Sequence, residues 1–177
     1  IANLLFQFCG MPFSDLAHLE KSNLERGLLK YNRTKTGTPM SIEVLESAQN
    51  AIGGLYNKSD ARSSGYLDYL FRILSGAYKR NEEGAYREYQ SALRRFNNEL
   101  KSLSRKLRLH SPVTSYTLRH SWATTAKYRG VPIEMISESL GHKSIKTTQI
   151  YLKGFELEER TKVNKLNYSY VCNFKML

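Results

Sequence analysis

Leu140-Gly141-His142-Lys143-Ser144-Ile145-Lys146-Thr147-Thr148-Gln149-Ile150-Tyr151 sets the architecture of this chain. Gly141 ends one helix, Ser144 can cap the next, and that next helix carries Tyr151 toward its end. Pro132 suits a first helical turn, so 132–139 reads as a short helix that stops before Gly141. Upstream, Thr117-Leu118-Arg119-His120-Ser121-Trp122-Ala123-Thr124 lies within a helix over about 115–128. Ser111-Pro112 breaks the pattern before it and Gly130 supplies its stop. Closely spaced short helices therefore bring an arginine, a histidine and a tyrosine into one neighbourhood.

The clearest helix lies further upstream, from about Glu82 to Leu107. Ala85, Tyr89, Leu93, Phe96, Leu100, Leu103 and Leu107 recur at intervals of three and four and define one apolar face. Gly27–Arg33, a polar turn over 34–39 and Met40–Val44 read as a β-hairpin. Residues 1–8 read as a buried helix, and an apolar pattern resumes at 15–19. Residues 45–52 form a short helix and 57–65 a polar loop, while 66–74 is apolar but too short to assign. The fold class is α+β, mostly α, with one small antiparallel sheet.

A chain of 177 residues fits one ordinary domain with a real core. A net charge of +11 makes an anion the expected partner, either nucleic acid or an anionic surface. No apolar run approaches the roughly 18 residues of a membrane span, and the opening segment lacks a basic signal-peptide flank. Cys9 and Cys172 sit at opposite ends and give no disulfide framework, which points to a reducing cytoplasm. The first residue is not Met and lies inside an apolar pattern, so the chain reads as a piece of a longer protein. No metal-ligand spacing and no Walker-type loop occurs, so neither a metal nor a cofactor is expected.

The grouped residues suit phosphodiester chemistry. A tyrosine hydroxyl, with a reference pKa near ~10, is a poor nucleophile until something takes its proton or stabilises the phenolate. Fixed cations on the non-bridging phosphate oxygens offset the repulsion that a phosphodiester presents to a nucleophile. Arg119 offers a planar fork for those oxygens, and His142 can donate to a second one.

Leu140-Gly141-His142, eight further residues and Tyr151, together with Leu118-Arg119-His120-Ser121, make the chain resemble the tyrosine recombinases, or phage-type integrases. The resemblance covers about residues 1–155 and implies the catalytic domain, with an N-terminal core-binding domain apparently absent from this fragment. It implies Tyr151 as nucleophile, Arg119 and His142 as phosphate ligands, and Lys35 as the group that protonates the departing 5′ oxygen. Lys35 belongs to Lys35-Thr36-Gly37 in the hairpin turn, where family members often carry Lys-Thr-Gly.

Two positions depart from the family pattern. Cys9-Gly10-Met11-Pro12-Phe13-Ser14-Asp15-Leu16 resembles the Arg-Gly-Met-x-Phe-x-Asp-Leu run of integrases from Bacteroides-like mobile elements, but Cys9 stands in place of the arginine. Asp15 fits the adjoining carboxylate. Arg33, two residues before Lys35 and thus on the same face of a strand, is the candidate replacement. Tyr116 stands three residues before Arg119, where many relatives have His or Lys, which leaves the acceptor of the Tyr151 proton open. His120 reads as structural, because helix neighbours point apart.

The function implied is site-specific DNA recombination or integration through a 3′-phosphotyrosyl intermediate. The implied partners are double-stranded DNA and other copies of the chain, as a tetramer on DNA, in a bacterial cytoplasm at the nucleoid. No membrane partner is expected. The tail 156–177 either docks on a neighbouring protomer or frays. Two rivals stand beside this reading: a cleavage-deficient DNA-binding module, and a type IB topoisomerase-like enzyme that nicks and reseals.

Overall fold

The computed structural model describes residues 1–56, 68–152 and 161. The loop expected over 57–65 and the tail expected over 156–177 therefore fall outside the described residues, Thr161 apart. Helices α1 (Ala2–Gln7) and α2 (Phe13–Ala17) precede a 3-10 turn at Lys21–Asn23. Strands β1 (Leu24–Glu25), β2 (Leu28–Asn32) and β3 (Pro39–Glu43) follow. The chain continues through α3 (Glu46–Tyr56), α4 (Glu83–Lys106), α5 (Ser115–Tyr128), α6 (Ile133–Ser139) and α7 (Ile145–Tyr151). The mostly helical architecture with a small antiparallel sheet is the one read from sequence.

The sheet runs in the order β1-β2-β3, all antiparallel, with Leu29 opposite Ile42 and Tyr31 opposite Met40. Along β2, Leu29 and Tyr31 turn inward while Leu28, Lys30 and Asn32 face out, the alternation of a sheet covered on one side. The two-residue β1 was not anticipated. It joins β2 through Arg26 and Gly27, both at positive φ (49° and 79°), as a primed two-residue turn requires. Arg-Gly is a weak signal for that turn and β1 is too short for a periodic pattern.

Leu4, Leu5, Phe8, Leu16, Leu29 and Ile42 are buried in the main core, between the sheet and α1 to α4. Leu70, Phe71 and Leu74, from the stretch left unassigned by the sequence, add to it without regular structure. Phe13 ties α2 to α4 by stacking on Phe96, with ring centroids 4.9 Å apart. A second, smaller cluster of Ala123, Ile136, Leu140 and Leu152 binds α5, α6 and the end of α7.

Two boundaries differ from expectation. Helix α3 continues to Tyr56, through Gly53 and Gly54, because Ala48 and Ile52 anchor it to the core. That anchoring outweighs a propensity cost of roughly 1 kcal/mol per glycine. On α4 the apolar stripe does not hold to the end: Leu103 and Leu107 are 50% and 60% exposed. Past Leu100 the buried position is Ser104, whose hydroxyl donates to the Leu100 carbonyl and accepts from the Val113 amide. There the helix packs against the returning chain through hydrogen bonds rather than apolar contact. Among the described residues, no helix is long and apolar enough to cross a membrane.

Candidate active site

The Leu140-Gly141-His142 run is a helix stop with defined hydrogen bonds. The His142 amide donates to the Ser137 carbonyl and the Gly141 amide to the Glu138 carbonyl, which is the Schellman arrangement. Gly141 has φ +64°, and a Cβ there would lie 2.7 Å from Arg33 Cδ and 2.8 Å from Met40 Sδ. Glycine is thus demanded twice, by the turn and by the arginine packed against it. The stop leaves the Leu140 carbonyl, at the end of α6, without a helical partner.

Two buried arginines fill that vacancy. Arg33 Nη1 and Arg119 Nη2 both donate to the Leu140 carbonyl, the latter at 2.7 Å. Arg119 Nη1 also donates to the Gly10 carbonyl at 2.8 Å, which ties α5 to the turn between α1 and α2. Gly10 sits at φ +65°, and a Cβ there would meet Trp122 Cβ at 3.2 Å and Arg119 Cα at 3.3 Å. Close approach of the two segments therefore requires glycine as well.

Beneath Arg33 lies Asp15, 3% exposed. Its Oδ2 is 3.2 Å from Arg33 Nε, an ion pair whose N–H is not aimed well enough to make a hydrogen bond. Its Oδ1 accepts from the Thr34 amide at 3.1 Å. The carboxylate thus fixes both the guanidinium and the start of the hairpin turn, and offsets the repulsion between two neighbouring arginines.

Arg33, Lys35, Tyr116, Arg119, His142 and Lys143 border one open cleft of about 780 Å³, with Ser14, Asn97 and Thr147. Among the described residues, no carboxylate lines it. The arginines form its buried floor, whereas Lys35 and Tyr116 are exposed at its rim. Arg33 and Lys35 reach the cleft through the turn and not through the strand pleat expected, since β2 ends at Asn32. Cys9 packs against the main core and is not among the cleft-lining residues; burial raises its thiol pKa. His120 meets the Tyr116 ring edge-on at 4.7 Å.

His142 is held in one protonation form. Its Nε2 lies 3.3 Å from Arg119 Nη2, and because guanidinium only donates, Nε2 is the acceptor. The proton of the neutral ring is then on Nδ1, which donates to Thr148 Oγ1 at 2.8 Å. Burial, followed by Arg119, Arg33 and Lys35, lowers its pKa to about 4, so the ring is uncharged at neutral pH. Donation from Nε2 to an anion, as the sequence suggested, therefore requires the ring to gain a proton first.

Tyr151 ends α7, four residues and about one helical turn beyond the cleft-lining Thr147. Ser144 caps that helix by accepting from the Lys146 amide, as anticipated. Sequence reading overlooked Thr148, Asn97 and the carbonyls of Gly10 and Leu140. Backbone acceptors carry no residue-type signal, and Thr148 is one of several hydroxyls in its helix.

Residues 2–157 match the Phage integrase family. A probable integrase/recombinase protein of Methanocaldococcus jannaschii is 31% identical over 156 residues, covering 85% of this chain and 44% of that protein. Tyrosine recombinase XerA of Pyrococcus furiosus is 32% identical over 162 residues, covering 85% and 48%. The chain spans about half the length of the curated relatives it matches. Among solved structures, XerA recombinase aligns with a TM-score of 0.62 at 23% identity, over 91% of this chain and 54% of that one. XerH bound to a palindromic difH substrate, after cleavage, gives 0.64 at 19% identity, over 93% and 45%. At these identities the likeness is one of fold.

Proposed function

The chain belongs to the phage integrase family, and on that premise we propose that about residues 1–155 form the catalytic domain of a tyrosine-type site-specific DNA recombinase. The observation that carries this reading is the cleft bordered by Arg33, Lys35, Arg119 and His142, with no carboxylate lining it among the described residues. It suits a phosphodiester, and the helix ending in Tyr151 begins three residues after His142.

Arg119 and Arg33 hold the non-bridging oxygens, Arg33 in place of the arginine that Cys9 replaces, with Asp15 orienting it. Such preplaced cations stabilise charge as it develops, each on the order of a hundredfold or more in rate. The Tyr151 oxygen bonds to phosphorus while the bond to the 5′ oxygen breaks. The phenol proton passes to solvent in the open cleft, and the Lys35 ammonium gives one to the departing oxygen. The bound phosphate's negative charge counters the cations that keep the imidazole pKa at about 4, so with substrate in place the ring gains a proton more readily and His142 donates from Nε2 to a non-bridging oxygen. Tyr116 donates a hydrogen bond from the rim. The 3′-phosphotyrosyl link conserves the phosphodiester's energy, and a partner strand's 5′ hydroxyl reverses the step.

The substrate is duplex DNA at paired sites, at the ends of a mobile element. The working assembly is a tetramer on DNA, in the cytoplasm at the nucleoid. The net charge of +11 supports the DNA partner.

Covalent trapping tests the reading. The chain is incubated with a library of nicked suicide duplexes of randomised sequence, beside Tyr151→Phe. A denaturation-resistant protein–DNA adduct that the variant lacks is expected. Binding without an adduct would move the protein to the cleavage-deficient class. Relaxation of supercoiled DNA without exchange between duplexes would move it to the topoisomerase-like class.

A further inference from the structure

Asn97 puts an amide into an otherwise apolar line along α4. Tyr89, Leu93 and Asn97 follow one another at intervals of four, so they share one helix face, and all three border the cleft. Asparagine is a poorer helix former than the leucine before it on that line, so α4 gives up a little propensity to carry a carboxamide there. We propose that Asn97 is a DNA-backbone ligand, whose side-chain N–H groups hold a phosphate adjoining the one that reacts.

Hydrogen-bond polarity decides which end of the carboxamide meets the ligand. A backbone amide only donates, so the atom 2.8 Å from the Ser115 amide is the acceptor, Oδ1. The Nδ2 group is left with two N–H donors, and among the described residues nothing accepts from them. Asn97 is half-buried, which leaves those donors on the wall of the cleft and not stranded in the core. Among the described residues no carboxylate lines that cleft to take them up. The acceptor that completes the amide is therefore one that an anionic ligand brings.

The size of the cleft says which part of the ligand reaches Asn97. Arg33 and Arg119 floor it and take the reacting phosphate, yet about 780 Å³ is a volume that holds a whole small molecule. A DNA strand repeats its phosphate roughly every ~3.4 Å along the helix axis, so a strand seated on the floor carries the next one toward the wall. Phosphate oxygens are also the acceptors that side-chain amides most often meet on DNA, and such contacts set register without reading sequence. Asn97 is itself anchored to the first residue of α5, and Arg119 lies four residues further along that helix. Both phosphates are thus held with reference to α5, one by the arginine and the other by the amide bonded to its first turn.

The part of Asn97 in the reaction rests on the recombinase reading, whereas the orientation of its amide does not. Two variants separate the ends of the carboxamide. Asn97→Asp keeps an acceptor for the Ser115 amide and loses the donors, and Asn97→Ala loses both. The first measurement is NMR of the Asn97 side-chain amide, assigned by its disappearance in Asn97→Asp. Its protons should shift when the chain is titrated with a short nicked duplex of fixed sequence, and stay in place when methylphosphonates flank the nick of that duplex. The second uses a reactive suicide duplex recovered from the randomised library, at sub-saturating concentration, with the phosphates around the reacting one replaced singly by methylphosphonate. In wild type one replacement should slow adduct formation about tenfold or more, as expected of a lost hydrogen bond to a charged group. That same replacement should cost nothing further in either variant, while the others act as in wild type. A purely structural Asn97 would leave every replacement with its wild-type effect in both variants, and that result overturns the proposal. So do amide signals that ignore the duplex. Asn97→Asp keeps the test decisive if Asn97→Ala does not fold. If wild type forms no adduct, the recombinase reading fails, and the amide signals with the two duplexes decide whether Asn97 meets a phosphate.

Discussion

The main core and the small cluster under α7 hold the site from opposite sides by different means. Leu5, Leu16 and Leu29 are completely buried among many apolar neighbours between the sheet and the first four helices. The segment from α6 to α7 rests on Ala123, Ile136, Leu140 and Leu152, with Trp122, Ala126 and Val131 around them. What that second side lacks in apolar burial it gains in polar cross-links. Arg33 and Arg119 both reach the Leu140 carbonyl, and Thr36 Oγ1 donates to the Gly141 carbonyl at 3.4 Å. Groups suited to gripping a phosphate thus also join the two halves. An anion entering the cleft therefore meets the residues that set how its two sides lie together.

The largest effect should come from cutting the Arg33 link. Arg33→Met keeps the side-chain length but leaves Asp15 buried without its cation, which costs about 3–5 kcal/mol when one partner of a buried pair is lost. Urea unfolding measures it. Adding Asp15→Leu to the same chain removes the stranded charge and should recover much of the stability. Adduct formation should stay lost in the double variant, because the phosphate cation is still absent. Cleavage by the refolded double variant at the wild-type rate would remove Arg33 from the phosphate site.

Next in size is the contrast between the two clusters themselves. Leu16→Ala, in the main core, should cost toward the upper end of about 2–5 kcal/mol, and Leu152→Ala toward the lower end, since the small cluster has less surrounding structure to leave a rigid cavity. Native-state hydrogen exchange sharpens the comparison. Amides of α7 should open at lower free energy than those of the central turns of α4, as expected of elements with few buried apolar contacts. Equal protection would mean that the polar links alone hold α7 as firmly as the core holds α4.

The same asymmetry governs what the sequence made legible. Helices α4 and α5, the hairpin and the stop at Gly141 could be read because periodicity, capping chemistry and turn residues are local signals. Thr114 even closes a reciprocal cap with Thr117 at the residue where α5 begins. Arg33 was reachable through its spacing from Lys35, although the geometry that delivers it is a turn. The carbonyls of Gly10 and Leu140 were not legible, since every residue has a carbonyl and only tertiary folding selects two of them. Leu103 and Leu107 misled for a related reason: a periodic stripe says which face could be buried, not how far the neighbouring chain extends.

A pH effect of intermediate size should follow from His142. Its folded pKa, about 4, lies below the ordinary value of 6.5, so between those values the unfolded chain binds the proton that the folded site refuses. Stability is therefore full above about pH 6.5 and falls as the pH drops toward 4, by about 1–3 kcal/mol for a half-buried ring. His18 and His120 are lowered as well and contribute in the same direction. His142→Asn should flatten part of the decline. A parallel decline in that variant would assign the whole effect to the other two.

The smallest effect, and the sharpest contrast with Arg33, should belong to Cys9. Its side chain packs on the main core and does not line the cleft, so Cys9→Ala should cost about 1 kcal/mol or less, the price of a little apolar contact. Both residues carry a Cβ, so the positive φ of 54° at this position is equally tolerated before and after the change. Arg119 uses the carbonyl of the next residue, Gly10, and that acceptor is untouched by the substitution. Adduct formation should therefore proceed at the wild-type rate. If it collapsed while the unfolding midpoint held, the thiol itself would be part of the reaction, and the cation count of the cleft would no longer account for it. Read beside Arg33→Met, the pair of variants separates a position whose side chain does chemistry from one whose side chain only packs on the core.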